Sequence, residues 1–193
     1  LGLFIDSIVK KGVESVGPQI AKVDIKLDRV KLSLLSGGGS VNGLVVGNPE
    51  GYKTPSALKV GTARLTLAPL SVLSDKIMVK EILVEAPEIT IEGGLTDNNL
   101  KKIQANLEAF TAGEKGAPPA KGKKLQVDDF VLRGAKVNLN LTMLGGKTAT
   151  IALPDIHLTN LGQGSDGITP ADLAQRMFGE VVKKVLEVAP GAV

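Results

Sequence analysis

One histidine and the carboxylate two residues before it are the best-placed groups in this chain for acid–base chemistry. They lie in the segment Asp155-Ile156-His157-Leu158, where strand alternation places His157 beside Asp155, on the face opposite Ile156 and Leu158. An imidazole near a carboxylate can act as a general acid or base. No recognisable motif supplies a nucleophile, so we interpret His157 as an exposed strand residue. The sequence predicts no catalytic residues, and we do not expect an enzyme.

Metal and cofactor sites are disfavoured by the residue inventory. The chain has no cysteine, which excludes disulfides and thiolate ligands, and its one histidine cannot complete a zinc site. Residues 96–99 and 164–167 carry oxygen ligands but lack the ladder of acids that ends in a bidentate Glu in calcium loops. The glycine run at residues 37–40 is not followed by the Gly-Lys-Ser/Thr of a phosphate-binding loop and indicates a hairpin. We therefore predict no metal and no cofactor.

Composition indicates an aliphatic core and argues against nucleic acid as a partner. The chain has 193 residues, of which 43% are hydrophobic but only 3% aromatic. That length suits a single domain over residues 1–193 with a sizeable core. The low aromatic content disfavours stacking on single-stranded nucleic acid. The net charge is +3, and lysines alternate with aspartates along residues 22–28, as on a solvated sheet face. We predict no nucleic-acid partner.

Short apolar-alternating runs that stop at a proline recur along the chain. They end at Pro49, Pro87 and Pro154, and because proline has no N–H for a sheet ladder, it marks strand ends, edges and corners. Beyond the alternating residues 22–34, strands are predicted at 41–47, 57–68, 76–86, 87–92, 125–142 and 147–159. The alternation changes parity near Asp28 and Arg29, which predicts a β-bulge there.

Helical spacing of apolar residues predicts three helices. The first, over residues 1–17, is amphipathic and either packs on the sheet or contacts a membrane. The second starts near Asn98 and ends before Gly113, followed by a flexible Gly/Pro/Ala loop at 112–124. The third covers residues 169–189, with Thr169 as its cap. The predicted fold class is α+β: a curved, mostly antiparallel sheet of about seven or eight strands, packed with an N-terminal, a middle and a long C-terminal helix.

An aliphatic groove is the binding feature that these elements suggest. Amphipathic strands and a long apolar helix can enclose a space suited to acyl chains. The same side chains can equally meet in a dry core, and periodicity does not separate the two arrangements. The candidate lining residues come from one strand and the last helix: Leu139, Leu141, Met177, Phe178, Val181 and Val185.

Several segments resemble the N-terminal region of AsmA-family proteins. They are residues 43–52 (GLVVGNPEGY), 58–60 (LKV), 69–73 (PLSVL), 77–82 (IMVKEI) and 86–89 (APEI). The strand at 153–156 (LPDI) and the helix start at 167–169 (GIT) are similar to small AsmA-like envelope proteins. The Asn48-Pro49 pair also resembles the water-stress domains of late-embryogenesis-abundant proteins.

The AsmA resemblance implies a Gram-negative envelope protein with a periplasmic body, anchored to the inner membrane. It further implies a role in lipid transport or outer-membrane homeostasis, and it carries no catalytic residues to this chain. Large members of the family build a long groove that bridges two membranes. A chain of 193 residues is too short to form a groove of that length. We therefore expect a non-enzymatic, membrane-associated protein that binds lipid or acyl chains.

The alternative is a structural or assembly module that acts through protein contacts, and a homo-oligomer remains open. Because the chain begins at Leu1, we expect a signal peptide or anchor upstream, or membrane contact through the N-terminal helix.

Overall fold

A computed structural model describes residues 2–115 and 122–192 and has three helices packed against one curved sheet. The helices are α1 (Gly2–Ala21), α2 (Asn99–Lys115) and α3 (Pro170–Val188). The strands are β1 (Ile25–Lys26), β2 (Arg29–Leu32), β3 (Gly38–Val46), β4 (Leu58–Leu67), β5 (Lys76–Glu85), β6 (Glu88–Gly93), β7 (Lys124–Arg133), β8 (Lys136–Leu141), β9 (Ala149–Ala152) and β10 (Ile156–Leu161). The predicted α+β class with its three helices is confirmed.

The sheet branches at β4. Along one branch the order is β4-β5-β7-β10, and along the other it is β4-β6-β8-β9. The opposite side of β4 pairs with β3, which in turn pairs with β1 and β2. Most pairs are antiparallel, but β5–β7 and β6–β8 are parallel. Parallel pairs need a long crossover, and α2 lies in the connection from β6 to β7.

Long strands of the sheet bend at one common corner, where two of the predicted strands divide; together with the division of 22–34 into β1 and β2, this gives ten strands where seven or eight are predicted. The predicted strand 125–142 divides into β7 and β8 at Gly134, and the predicted strand 147–159 divides into β9 and β10 at Pro154. The break between β5 and β6 falls at Ala86 and Pro87. Ala86 and Gly134 take positive φ angles of 49° and 65°, which turn the chain. Two of the prolines identified in the sequence therefore mark this corner.

The pairing register continues through the corner. Before it Lys76 pairs with Lys124, and after it Glu88 pairs with Lys136, so both strands advance by twelve residues. Each bent strand therefore keeps one face towards the core on both sides of the break.

A second break separates β1 from β2, but it is not the predicted bulge. Ile25 pairs with Val46, and Arg29 pairs with Asn42. Both strands therefore advance by four residues between these pairs, and neither contains an inserted residue. β3 changes its own side-chain parity at Gly43, whose φ of 67° lies in the left-handed region. The parity change near Asp28 and Arg29 thus lies beside a parity change in β3. The inward-facing side chains therefore stay apolar on both sides of the break.

Hydrogen bonds fasten α1 to the edge of the sheet. Asp6 Oδ1 accepts from the backbone N–H of Leu32 at 2.8 Å, and Glu14 Oε1 accepts from that of Leu27 at 3.0 Å. These carboxylates satisfy edge donors that would otherwise face water or another chain. The helix extends four residues beyond the predicted 1–17, through Pro18. No helix in the described ranges combines the length and apolarity needed to cross a bilayer.

Contacts with α3 hold the end of α2. The helix continues through Gly113 to Lys115, beyond its predicted end, because Thr111 Oγ1 bonds Gln175 Oε1 at 2.8 Å and Thr169 Oγ1 bonds Glu114 Oε2 at 3.2 Å. The predicted flexible loop 112–124 thus begins in a helix and ends at the start of β7; its residues 116–121 lie outside the described ranges.

The caps of α2 and α3 are side-chain caps. Asn98 Oδ1 accepts from the N–H of Lys101 at 3.0 Å, which places the start of α2 where the sequence predicts it. α3 covers Pro170–Val188 against a predicted 169–189, and Thr169 Oγ1 accepts from the N–H of Asp172 at 3.0 Å.

We predict that Gly43→Ala lowers the free energy of unfolding by at least about 2 kcal/mol. Its φ disfavours any side chain, and the added Cβ would overlap the carboxylate of Asp28. The matched control is Gly61→Ala, directly across on β4, where a Cβ meets nothing within 4 Å. Urea denaturation should leave the control within about 1 kcal/mol of the parent. Equal losses in both variants would contradict the strained break.

Candidate functional site

An apolar cavity of about 450 Å³ lies between the sheet and the helices. Its walls come from α1, α2 and α3 and from the segments β1, β3, β4, β5 and β7, and every lining residue is Val, Leu, Ile, Ala, Phe or Met. No charged or hydrogen-bonding side chain of the described residues lines this space. Such a wall can offer only dispersion contacts and exclusion of water to a ligand.

The parity changes of the strands produce the apolar floor of the cavity. On β3 both Val41 and Leu44 line it, and on β4 both Val60 and Ala63 do, although each pair is three residues apart. In a regular strand, residues three apart point to opposite faces. The breaks at Gly43 and across from it on β4 therefore add a second apolar segment to the same wall. Leu44 remains half-buried at the centre of the sheet because the cavity lies above it.

The helices are held at two different positions on the sheet. The first turns of α1 lie over the end of β2, through the Asp6 bond to Leu32. The end of α2 meets the start of α3, through the Glu114 bond to Thr169, beside the start of β7 where Ile168 pairs with Leu125. Between these two positions the sheet contains β3, β4 and β5.

This arrangement leaves the cavity open at one end. From β2 to β7 there are four strand spacings, about 19 Å along the sheet. Packed helices lie only about 8–10 Å apart. α1 and the α2–α3 pair therefore diverge at this end, with Val9 and Val13 on one rim and Ala174, Met177 and Phe178 on the other. At the other end the helices converge, where Asn106 Nδ2 donates to the Ala21 carbonyl at 2.9 Å.

The six lining residues predicted from the sequence fall in two places. Met177, Phe178 and Val181 on α3 line the cavity. Leu139 and Leu141 on β8 and Val185 on α3 are 0–1% exposed and pack in the hydrophobic core, outside the lining of this cavity. β8 lies beyond the corner, on the branch away from the cavity.

Sequence reasoning missed the lining from α1 and α2 and from β1, β3, β4, β5 and β7. The signal available for it was the parity change itself, where apolar residues three apart flank a glycine. Ala63, Ala21 and Ala174 also contribute small side chains to the wall, which leave volume unfilled.

His157 is paired with a different carboxylate from the one its strand neighbours suggest. Its Nε2 lies 2.7 Å from Asp129 Oδ1 on the adjacent β7, and the two side chains are 58% and 45% exposed. Asp155 instead accepts from the backbone N–H of Gly134 at 3.3 Å. The pair faces solvent, away from the apolar cavity. In the described ranges, no cluster of three acidic or histidine side chains could hold a metal.

A polar network surrounds Glu92 on β6, outside the lining of the cavity. Glu92 accepts from the backbone N–H groups of Lys53 and Thr54 at 2.8 and 2.7 Å and from the Thr54 hydroxyl at 2.6 Å. Thr54 Oγ1 also accepts from Asn48 Nδ2, and Asn48 Oδ1 accepts from buried Asn99. The network ties the Asn48-Pro49 turn to the start of α2 and explains that motif structurally.

The same hydrogen bonds set the acidity of Glu92. Burial raises the pKa of its carboxyl, but the bonds from the Thr54 hydroxyl and the two backbone N–H groups outweigh burial, and the pKa lies below the ordinary 4.5. Because the folded-state pKa is lowered, ionised Glu92 stabilises the fold above pH 4.5. That contribution is lost as the pH falls through the folded-state pKa.

We predict that Glu92→Gln lowers the free energy of unfolding at pH 7 by about 1–3 kcal/mol, because an amide cannot accept all three bonds. The difference from the parent should shrink as the pH falls below 4.5, where the parent also loses its carboxylate. Denaturation curves at several pH values measure this. Glu50→Gln, at an exposed turn position, is the control and should change little at any pH. A Glu92→Gln deficit that is constant with pH would contradict the assignment.

Comparison with known proteins adds no assignment to this geometry. No family model, no curated protein and no solved structure matches the chain. The activity must therefore be inferred from the cavity and from the sequence.

Proposed function

We propose that this protein binds a lipid through its acyl chain, which occupies the apolar cavity. The observation that carries the proposal is a cavity of about 450 Å³ whose wall is entirely apolar. Ligand pockets of proteins commonly measure about 300–1,000 Å³, and most keep a few polar groups to orient a polar ligand. A wall without such groups favours a hydrocarbon chain over a planar or charged metabolite.

The poor hydration of the cavity wall also supports an occupant. Water is a poor filler because the lining residues offer it no hydrogen bonds. A bound acyl chain would replace this poorly hydrated surface with dispersion contacts.

The open end suggests where the polar part of the ligand lies. An apolar wall cannot satisfy a carboxylate or phosphate, so a headgroup would stay outside the rim between α1 and α3. The cavity thus suits one chain of a lipid with its head in water.

The cellular role proposed here is non-enzymatic lipid transport or outer-membrane homeostasis in the periplasm, at a membrane surface. Its support is the resemblance of residues 43–52 and the segments after them to AsmA-family proteins, together with the cavity. A structural or assembly module is the second candidate, and exposed leucines at Leu35, Leu70 and Leu73 favour it. Light scattering over a range of concentrations tests it, since an assembly module should form larger species.

Filling the cavity tests the first proposal. We predict that Ala174→Phe lowers the affinity for a fluorescent fatty acid such as cis-parinaric acid by about tenfold or more, because the ring takes space that a chain would use. The thermal midpoint should stay the same or rise, since the ring replaces a void. Native mass spectrometry should show less co-purified lipid.

Ala105→Phe is the matched control, because Ala105 is exposed on α2 and lies away from the lining. It should bind the probe as the parent does. Parent protein that binds no fatty acid and carries no lipid would refute acyl-chain binding. Equal binding by parent and Ala174→Phe would place the ligand elsewhere.

A further inference from the structure

One end of the molecule exposes large apolar side chains that the cavity does not use. Leu35 is 90% exposed, Leu73 70%, Leu70 59% and Met78 38%. We name these four side chains the apolar tip. They lie in the turn between β2 and β3 and in the segment from the end of β4 to the start of β5.

Backbone hydrogen bonds join these turns into one surface. The N–H of Leu67 donates to the Gly37 carbonyl at 2.6 Å, which places the β2–β3 turn beside the end of β4. The N–H of Ala68 donates to the Met78 carbonyl at 2.8 Å, and that of Met78 donates to Ser71 Oγ at 3.1 Å. The leucines therefore project from fixed turns.

Leu70 is held in a conformation that costs energy. Its φ of 65° lies in the left-handed region, which leucine rarely adopts, and its side chain is nevertheless exposed to solvent. Strain of this kind persists where the surrounding structure imposes it and often accompanies a binding surface. Here it places an apolar side chain at the outermost turn.

Two lysines at the base of the tip form hydrogen bonds but no ion pairs within the described ranges. Lys123 Nζ donates to the carbonyls of Val72 and Ser74, and Lys76 Nζ donates to the Gly164 carbonyl. Both bind neutral acceptors, and neither forms an ion pair with any residue of 2–115 or 122–192. Lys124 adds a third positive charge, while Asp75 and Asp166 are the acids of the same turns.

The mouth of the cavity opens at this end. The rims formed by α1 and α3 diverge over the end of β2 and the start of β7, and the apolar tip lies in the turn after β2 and in the segment that leads into the first residues of β5. The start of β7 pairs with the start of β5. An acyl chain leaving the cavity would therefore emerge beside the exposed leucines.

We propose that the apolar tip inserts into the interface of an anionic bilayer, so that the cavity mouth faces the acyl chains and exchanges one with the membrane. This rests on the proposed acyl-chain binding and names the surface that delivers the ligand. Separate leucines on turns, with lysines behind them, combine apolar insertion with attraction to anionic headgroups. The tip has none of the Trp, Tyr or Arg side chains that dominate protein interfaces.

Vesicle flotation of the full chain tests this proposal. The parent should float with vesicles of phosphatidylcholine and phosphatidylglycerol, and less with phosphatidylcholine alone. In the double variant Leu70→Ser, Leu73→Ser, binding to the mixed vesicles should fall by about tenfold or more, because two insertable side chains are lost. Lys123→Gln should reduce the preference for the anionic lipid. Met143→Ser is the control, since Met143 is 59% exposed in the turn after β8, beyond the corner, and should not change binding.

A second readout separates this inference from the cavity proposal. In the absence of vesicles, the double variant should bind cis-parinaric acid as the parent does, while its uptake of the probe from loaded vesicles should slow. Vesicle binding equal to that of the parent would overturn the tip assignment and leave the cavity proposal standing. Loss of self-association without loss of vesicle binding would identify the tip as a protein interface. If the double variant has a lowered thermal midpoint, Leu35→Ser is measured in its place, and the same outcomes apply.

Discussion

The pairing register that continues through the bends of the sheet is the constraint on which the rest of this structure depends. At Gly43 and at the common corner the chain turns, yet the partners on either side stay in step. A one-residue slip at either place would move every following side chain to the other face. Matched turns on neighbouring strands avoid the slip: β3 changes parity opposite the gap between β1 and β2, and three strands bend together at Ala86, Gly134 and Pro154. The inner face therefore stays apolar while the sheet curves.

The cavity follows from this curved face and from where the helices are fastened. α1 is bound to one edge by Asp6 and Glu14, and α2 and α3 are bound to each other at the start of β7. A helix about 10 Å wide on each side cannot cover the strands between them. The central strands then present leucines and valines to a space without an opposing layer. Hydrogen bonds at these positions and the apolar packing of the three helices on the core together set the shape of the cavity.

Local patterns in the sequence predict the elements better than they predict the site. The alternation of Val137, Leu139 and Leu141 and the Thr169 cap are local signals, and each corresponds to a strand or a helix start in the fold. The sequence does not reveal the corner, because the strands bend there without a change of pairing register. The pattern at 125–142 therefore predicts one continuous strand. Leu139 and Phe178 carry the same apolar signal, yet one is in the filled core and the other lines the cavity. What separates them is tertiary structure: Leu139 lies on β8 beyond the corner, whereas Phe178 lies on α3 across the cavity from α1. A periodicity analysis of single elements contains no such information.

The two ends of the molecule differ in polarity, and this difference bears on how a ligand would reach the apolar cavity. Away from the mouth, the polar atoms of Glu92, Thr54, Asn48 and Asn99 bond one another, and α2 bonds the end of α1 through Asn106 and Ala21. The other end has an open mouth and leucines held outward by fixed turns. An exposed leucine gains nothing from water, and a strained one at Leu70 costs stability. Because a hydrocarbon chain crossing into water would lose about 0.8 kcal/mol for each CH₂ group, a carrier of such chains needs its opening pressed against a bilayer. The apolar tip lies where contact with a bilayer would keep the acyl chain out of water.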